Sequence, residues 1–204
     1  MKLNILLCTV CHSITTYCRN SMKKIALLFY VLSISACQSL PERIIIAPNY
    51  TAVTQLKLAN NIDLLVRDNR ETPTALRILQ KGDVTKVSSN DLEYSLNIAL
   101  SKAFKNGDIN INSSSQNKMI LLIHQLEVIV KQQTLKYRSE GIIELEVKLN
   151  KGKRSFNKYY NGSQNSEGPL IFDKAKVEGR LNTLLEQMIS RIVNDAELQE
   201  FLQG

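Results

Sequence analysis

The chain has no tryptophan, only two histidines and, past position 37, no cysteine. Each absence closes a class of function. Cys8, Cys11, Cys18 and Cys37 are the only cysteines, so whatever folds after Cys37 has no disulfide, thiol nucleophile or cysteine metal site. It must hold together by its core alone. His124 is the one histidine outside the leader, which leaves no histidine cluster for zinc. Glycine is scarce, and Asn106-Gly107 and Lys151-Gly152-Lys153 are isolated turns rather than a phosphate-binding loop. The basic excess is thin as well. Of the formal charge of +7, four positive charges (Lys2, Arg19, Lys23 and Lys24) stand in the first 37 residues with no acid, so the remainder carries about +3 and gives no reason to expect nucleic-acid binding.

What is present begins with an address. Met22-Lys23-Lys24 opens an apolar run, Ile25 to Ser35, that ends in Ile34-Ser35-Ala36-Cys37. A charged start, about a dozen apolar residues and a small-residue cleavage site make a secretory signal. A cysteine directly after the cut makes it a bacterial lipoprotein signal, with Cys37 as the acylated first residue of the mature chain. The run is too short for a membrane span, which needs about 20 apolar residues. Met22 is the expected initiator. The expected domains are a signal region over residues 1–36, a lipidated cysteine with tether and lead-in segment over 37–60, and a single periplasmic domain over 61–204. Gln38, in place of an aspartate-type retention signal, points to the periplasmic face of the outer membrane.

Periodicity supplies the elements. Ile62, Leu64 and Val66 alternate at strand spacing. A loop through Thr72-Pro73 and Lys81-Gly82-Asp83 is expected before a helix that Asn90 caps, with Glu93 in its first turn and Leu92, Leu96, Ala99, Leu100, Ala103 and Phe104 as its apolar stripe. Three strands should follow. In the first, Ile120, Leu122, Leu126, Val128 and Val130 share a face, which would also hold His124 as a satisfied core histidine. In the second, Glu140, Glu144 and Glu146 lie on a solvated, charge-balanced face. The third runs from about Arg154 to Gly162 and gives way to a loop from Ser163 to Pro169. Asp173 then caps a helix with Val177, Leu181, Leu184, Leu185, Met188, Ile192 and Val193 on its apolar side, and Asp195 restarts a last turn. The order β-α-β-β-β-α predicts an α+β two-layer sandwich, with two amphipathic helices on one face of a mostly antiparallel sheet.

These segments carry a resemblance. The signal and lipobox, a strand ending in Asp68-x-Arg70, the Leu92-to-Phe104 helix, the run from Gln125-Leu126 through Tyr137, and the stretch from Tyr159 through Glu167-Gly168 to Glu200-Phe201-Leu202 resemble the YajG family of uncharacterised bacterial lipoproteins. The likeness implies a small outer-membrane lipoprotein with no established activity. Asp68 and Arg70, two apart on a strand end, read either as an ion pair anchoring the loop or as a partner contact. Lys158, Tyr159 and Tyr160 combine basic and aromatic groups as binding surfaces do. With no catalytic constellation and no cofactor motif, the expectation is a noncatalytic protein. It would be held to the membrane by acyl chains on Cys37 and would bind an envelope protein or peptidoglycan through its sheet edge or loops. The alternative is a carrier of lipid or cell-wall fragments, which requires an apolar cavity of a few hundred Å³.

Overall fold

The computed structural model describes residues 43–50 and 60–204. The signal region and Cys37 lie outside the described residues. Among those described, eight strands form one mixed sheet that curls into a half-barrel, and three helices fill its hollow. This corrects the expected two-layer antiparallel sandwich. The strands are β1 (Arg43–Ile44), β2 (Asn60–Asp68), β3 (Thr74–Gln80), β4 (Asp83–Ser89), β5 (Ile109–Ile111), β6 (Lys118–Gln132), β7 (Lys136–Lys151) and β8 (Arg154–Pro169). The helices are α1 (Leu92–Lys105), α2 (Lys174–Val193) and α3 (Ala196–Gln203).

The correction has two local causes. Thr74–Ser89, expected as loop, is the β3–β4 hairpin, turned by Lys81 and Gly82, both at positive φ. Its faces mix charged and apolar residues, so no clean alternation announces it. The segment from Ser163 to Pro169, also expected as loop, continues β8 in unbroken antiparallel register with β7. There the backbone ladder with a strong neighbour overrides a run of polar residues with weak strand preference.

Strand β6 organises the sheet. One edge pairs with β7; the other is shared by two parallel strands, β2 along Lys118–Ile123 and β3 along Val128–Gln132. The chain leaving β2 therefore loops past the middle of β6 and rejoins it further on. At that middle the β6–β7 register slips at His124, an extra residue on β6 between Ile123↔Leu145 and Gln125↔Glu144. The bulge inverts the inward parity: Met119, Leu121 and Ile123 are buried before it, Leu126, Val128 and Val130 after it. A bulge also sharpens local twist, which suits a curled sheet.

The caps follow sequence logic with one shift. Asp91, not Asn90, caps α1 by accepting from Tyr94 N, whereas Asp173 and Asp195 cap α2 and α3 as expected. Asn90 is engaged elsewhere. Its amide accepts from Ile46 N (2.8 Å) and donates to Ile46 O (3.1 Å). On the other side of the same segment, Ile45 N, Ala47 N and Asn49 N donate in turn to Glu178, Asn182 and Glu186 of α2. Two extended residues advance about 6.6 Å and four helical residues about 6 Å, so every second amide meets a polar side chain on every fourth helical position. Residues 43–50 are thus held between the end of β4 with Asn90 on one side and α2 on the other, with Ile44, Ile46 and Tyr50 in the core. Gly162 permits the close approach of β8 to α2, since a Cβ there would lie 2.7 Å from Met188 Sδ.

Candidate functional site

The Asp68–Arg70 pair sits where β6 has no strand partner on its β2/β3 edge. Arg70 Nε and Nη2 donate to the two Asp68 carboxylate oxygens, each at 2.8 Å. Its Nη1 donates to Leu126 O (3.1 Å) and Thr74 O (3.2 Å), while Asn69 N donates to Ile123 O (3.0 Å). The guanidinium supplies the donors that a strand would have supplied. Its side chain is 5% exposed. Burial pushes the Asp68 carboxyl up, but the hydrogen bonds and charge of Arg70 outweigh it and hold the group below its ordinary range. Glu93, in the first turn of α1, fixes the same strand end by accepting from Asp68 N (2.8 Å). Of the two readings of this pair, the geometry is that of a loop anchor.

Beside the plug, on the sheet face turned away from the helices, the bulge presents His124. This corrects the core reading: the imidazole is 25% exposed and belongs to a polar cluster. His124 Nε2 lies 2.7 Å from Glu146 Oε2, and Nδ1 lies 3.4 Å from Asn69 Nδ2, an arrangement in which Nε2 donates and Nδ1 accepts. Glu146 is corrected too. Only 2% exposed, it takes His124, Lys148 Nζ (3.2 Å) and the side chain of Asn157 as partners. Burial raises its pKa, and these donors together bring it below the ordinary carboxylate range. Tyr159, directly across from Glu146, stacks tilted against His124 at 5.8 Å. Its phenol is pushed up by desolvation and by the Glu146 charge it hydrogen-bonds. Glu140 and Glu144 keep the solvated positions expected of them.

The structure divides the expected surface of Lys158, Tyr159 and Tyr160. Tyr159 faces outward with His124. Tyr160 points into the core, where its hydroxyl donates to Asp195 Oδ2 (3.1 Å), and Lys158 pairs with the same carboxylate at 2.8 Å and with Glu197. These two residues fasten α3 to β8. Desolvation and the Asp195 charge push the Tyr160 phenol far up.

An open cleft of about 650 Å³ adjoins the cluster, with Arg70, Arg77, Lys86, His124, Glu127 and Glu144 among its lining. Arg77 and Glu127 close one wall as a bidentate pair. Among the described residues no hydroxyl nucleophile is hydrogen-bonded to His124, and the carboxylate beside it is committed to three donors and held ionised. The cluster is built to hold a shape and present polar groups. Between the sheet and α2, a gap lined by Val128, Gly141, Val177 and Leu181 among others measures about 10 Å³, room for no ligand. The outward position of His124 was missed because the bulge leaves only a parity break, Ile123 to Leu126, in an otherwise apolar strand. Glu146 was read on the correct face of β7, and only its burial, made by partners on other strands, was missed.

The remaining feature is the sheet edge. β8 pairs with β7 alone, so its other side carries no strand among the described residues over sixteen residues. Arg191 of α2 donates to Asn161 O (2.8 Å), which identifies that carbonyl as edge-facing. By strand alternation the amides of Ser163 and Asn165 face the same way. Between Gly162 and Glu167 the edge has neither lysine nor proline, the residues that commonly guard an exposed strand.

Against known proteins, a family model described as an uncharacterised lipoprotein, Lipoprotein_16, matches residues 48–203. The chain belongs to that lipoprotein family. The resemblance to YajG-type lipoproteins therefore holds, and with it an envelope-anchored protein. No helix among the described residues is long and apolar enough to cross a membrane. No curated protein matches the chain. A Xanthomonas campestris protein of the DUF330 family shares the fold, with a TM-score of 0.55 and 18% identity over 79% of this chain and 98% of its own. A neuraminyllactose-binding hemagglutinin homolog from Helicobacter pylori is similar at a TM-score of 0.44 and 8% identity, covering 79% of this chain and 96% of its own, a likeness too low to bear on function.

Proposed function

We propose that the protein is a noncatalytic lipoprotein of the outer membrane's periplasmic face, anchored through Cys37, that engages an envelope partner by strand addition along the free edge of β8. The observation that carries this is the half of that edge at Ser163–Glu167, which has edge-facing amides, no lysine or proline, and no strand beside it among the described residues. Extended segments recognise such edges through main-chain hydrogen bonds. The saturated polar cluster around Glu146 supports a noncatalytic role, because its carboxylate is committed to structural donors. The carrier alternative requires an apolar cavity of a few hundred Å³, and the 10 Å³ gap behind the sheet speaks against it.

The test compares full-length wild type with Asn165→Pro, each purified from detergent-solubilised envelope. Proline removes one edge-facing donor and is tolerated on edge strands. A discrete stoichiometric partner retained by wild type and lost from the folded variant is the expected result. An identical retained set for both proteins, or lipid alone, contradicts it.

A further inference from the structure

One end of the molecule exposes aliphatic side chains in a group. Leu135 in the β6–β7 turn is 73% exposed, and Leu170 and Ile171, just past β8, are 63% and 75% exposed. Scattered exposed aliphatics are ordinary, but these are backbone neighbours: Leu170 N donates to Leu135 O at 2.8 Å. Leu170 also holds a φ of 60°, a left-handed conformation that a bulky side chain rarely adopts. The buried amide of Gln132 fixes it there. Gln132 Nε2 donates to Leu170 O (2.8 Å) and Gln133 O, and Oε1 accepts from Phe172 N (3.0 Å). A buried polar group thus serves to thrust apolar side chains into solvent, the reverse of what folding alone would select. Lys131 and Lys136 flank the group, exposed, while the neighbouring acids are engaged: Glu167 pairs with Arg138, and Asp173 caps α2.

The first described residues, from Arg43, approach this end. Lys174, three residues after Ile171, donates to Arg43 O, and from Arg43 the chain runs alongside α2 in the same direction, away from the tip. Cys37 stands six positions earlier, no more than about 20 Å of extended chain.

We infer that Leu135, Leu170 and Ile171 form a membrane-seated tip that inserts into the phospholipid surface near the anchor, with Lys131 and Lys136 near headgroup phosphates. This rests on the reading of Cys37 as lipidated. Short apolar insertions flanked by basic residues are how surface-lying elements engage a bilayer. The seat would stand the sheet on end, with the Lys151–Gly152 hairpin about 50 Å away along sixteen residues of β7 at about 3.3 Å each.

Because the chain has no tryptophan, single-tryptophan variants report position directly. Full-length lipidated Ile171→Trp, Leu135→Trp and Lys153→Trp proteins are reconstituted into vesicles of phosphatidylethanolamine and phosphatidylglycerol, with and without brominated acyl chains. The expected result is blue-shifted emission and several-fold stronger quenching for the first two than for Lys153→Trp. Sedimentation with vesicles but equal, weak quenching at all three positions overturns the tip and leaves the anchor standing. Failure to sediment overturns both.

Discussion

At the scale of single residues, Arg70 is the one whose loss should cost most for its size. Removing its side chain leaves Leu126 O and Thr74 O without donors and Asp68 without its counter-charge. Arg70→Ala is expected to destabilise the fold by about 2–4 kcal/mol, read as a lowered urea midpoint with unchanged slope. The sign of the pH dependence follows from Asp68 and Glu146. Both are held below their unfolded values, so the stability they contribute is full above the ordinary carboxylate range and is lost as pH falls through their depressed folded values. The urea midpoint should drop from about pH 5 to about pH 3 in the wild type and drop less steeply in an Asp68→Asn/Glu146→Gln variant. How far these roles could be read from sequence differs by residue. Asp68 and Arg70 stood out because two-residue spacing puts them on one side of a strand end. His124 did not, because a bulge has no composition of its own, and the burial of Glu146 was hidden because His124 and Asn157, which help cover it, come from other strands.

At the scale of elements, helices were the legible part: Asp173 and Asp195 cap where expected, and the apolar stripes of α1 and α2 are the buried ones. Their period of 3.6 is local and survives any tertiary arrangement. The β3–β4 hairpin and the second half of β8 were illegible for the converse reason, since a ladder with a distant strand creates them. Residues 43–50 are the extreme case, a strand-like segment whose partners are largely side chains of Asn90, Glu178, Asn182 and Glu186. Asn182→Ala removes the acceptor of Ala47 N and the donor to Ile45 O together. It should speed hydrogen exchange at the Ala47 amide by about tenfold or more, corresponding to the roughly 1–2 kcal/mol of such bonds, while β6 and β7 amides stay protected. Loss of protection throughout the sheet would mean that the segment is integral to the global fold rather than clasped onto it.

At the scale of the whole molecule, the half-barrel of the described residues has a filled hollow, a polar outer face rigidified around Glu146, one edge along β8 with no strand beside it among the described residues, and an aliphatic tip that the first described residues approach. On the proposed reading of Cys37 as the lipid anchor, that tip would be the part of the domain nearest the bilayer. The edge would then extend away from the bilayer into the space where a partner would be met. The two surfaces are thereby proposed to have different roles, with the Leu135/Leu170/Ile171 end for lipid and β8 for protein. The most direct test of that division is site-specific photo-crosslinking in cells, with the reactive side chain placed in turn at Ser163, Asn165, Lys153, Tyr94 and Lys86 of the full-length protein. The account predicts one protein adduct of constant mass at Ser163 and Asn165, absent from the other three positions and abolished by Asn165→Pro when the probe is at Ser163. Adducts that concentrate at Lys86, in the polar cleft, or at Tyr94, on α1, would contradict it and move the binding surface off the edge of β8.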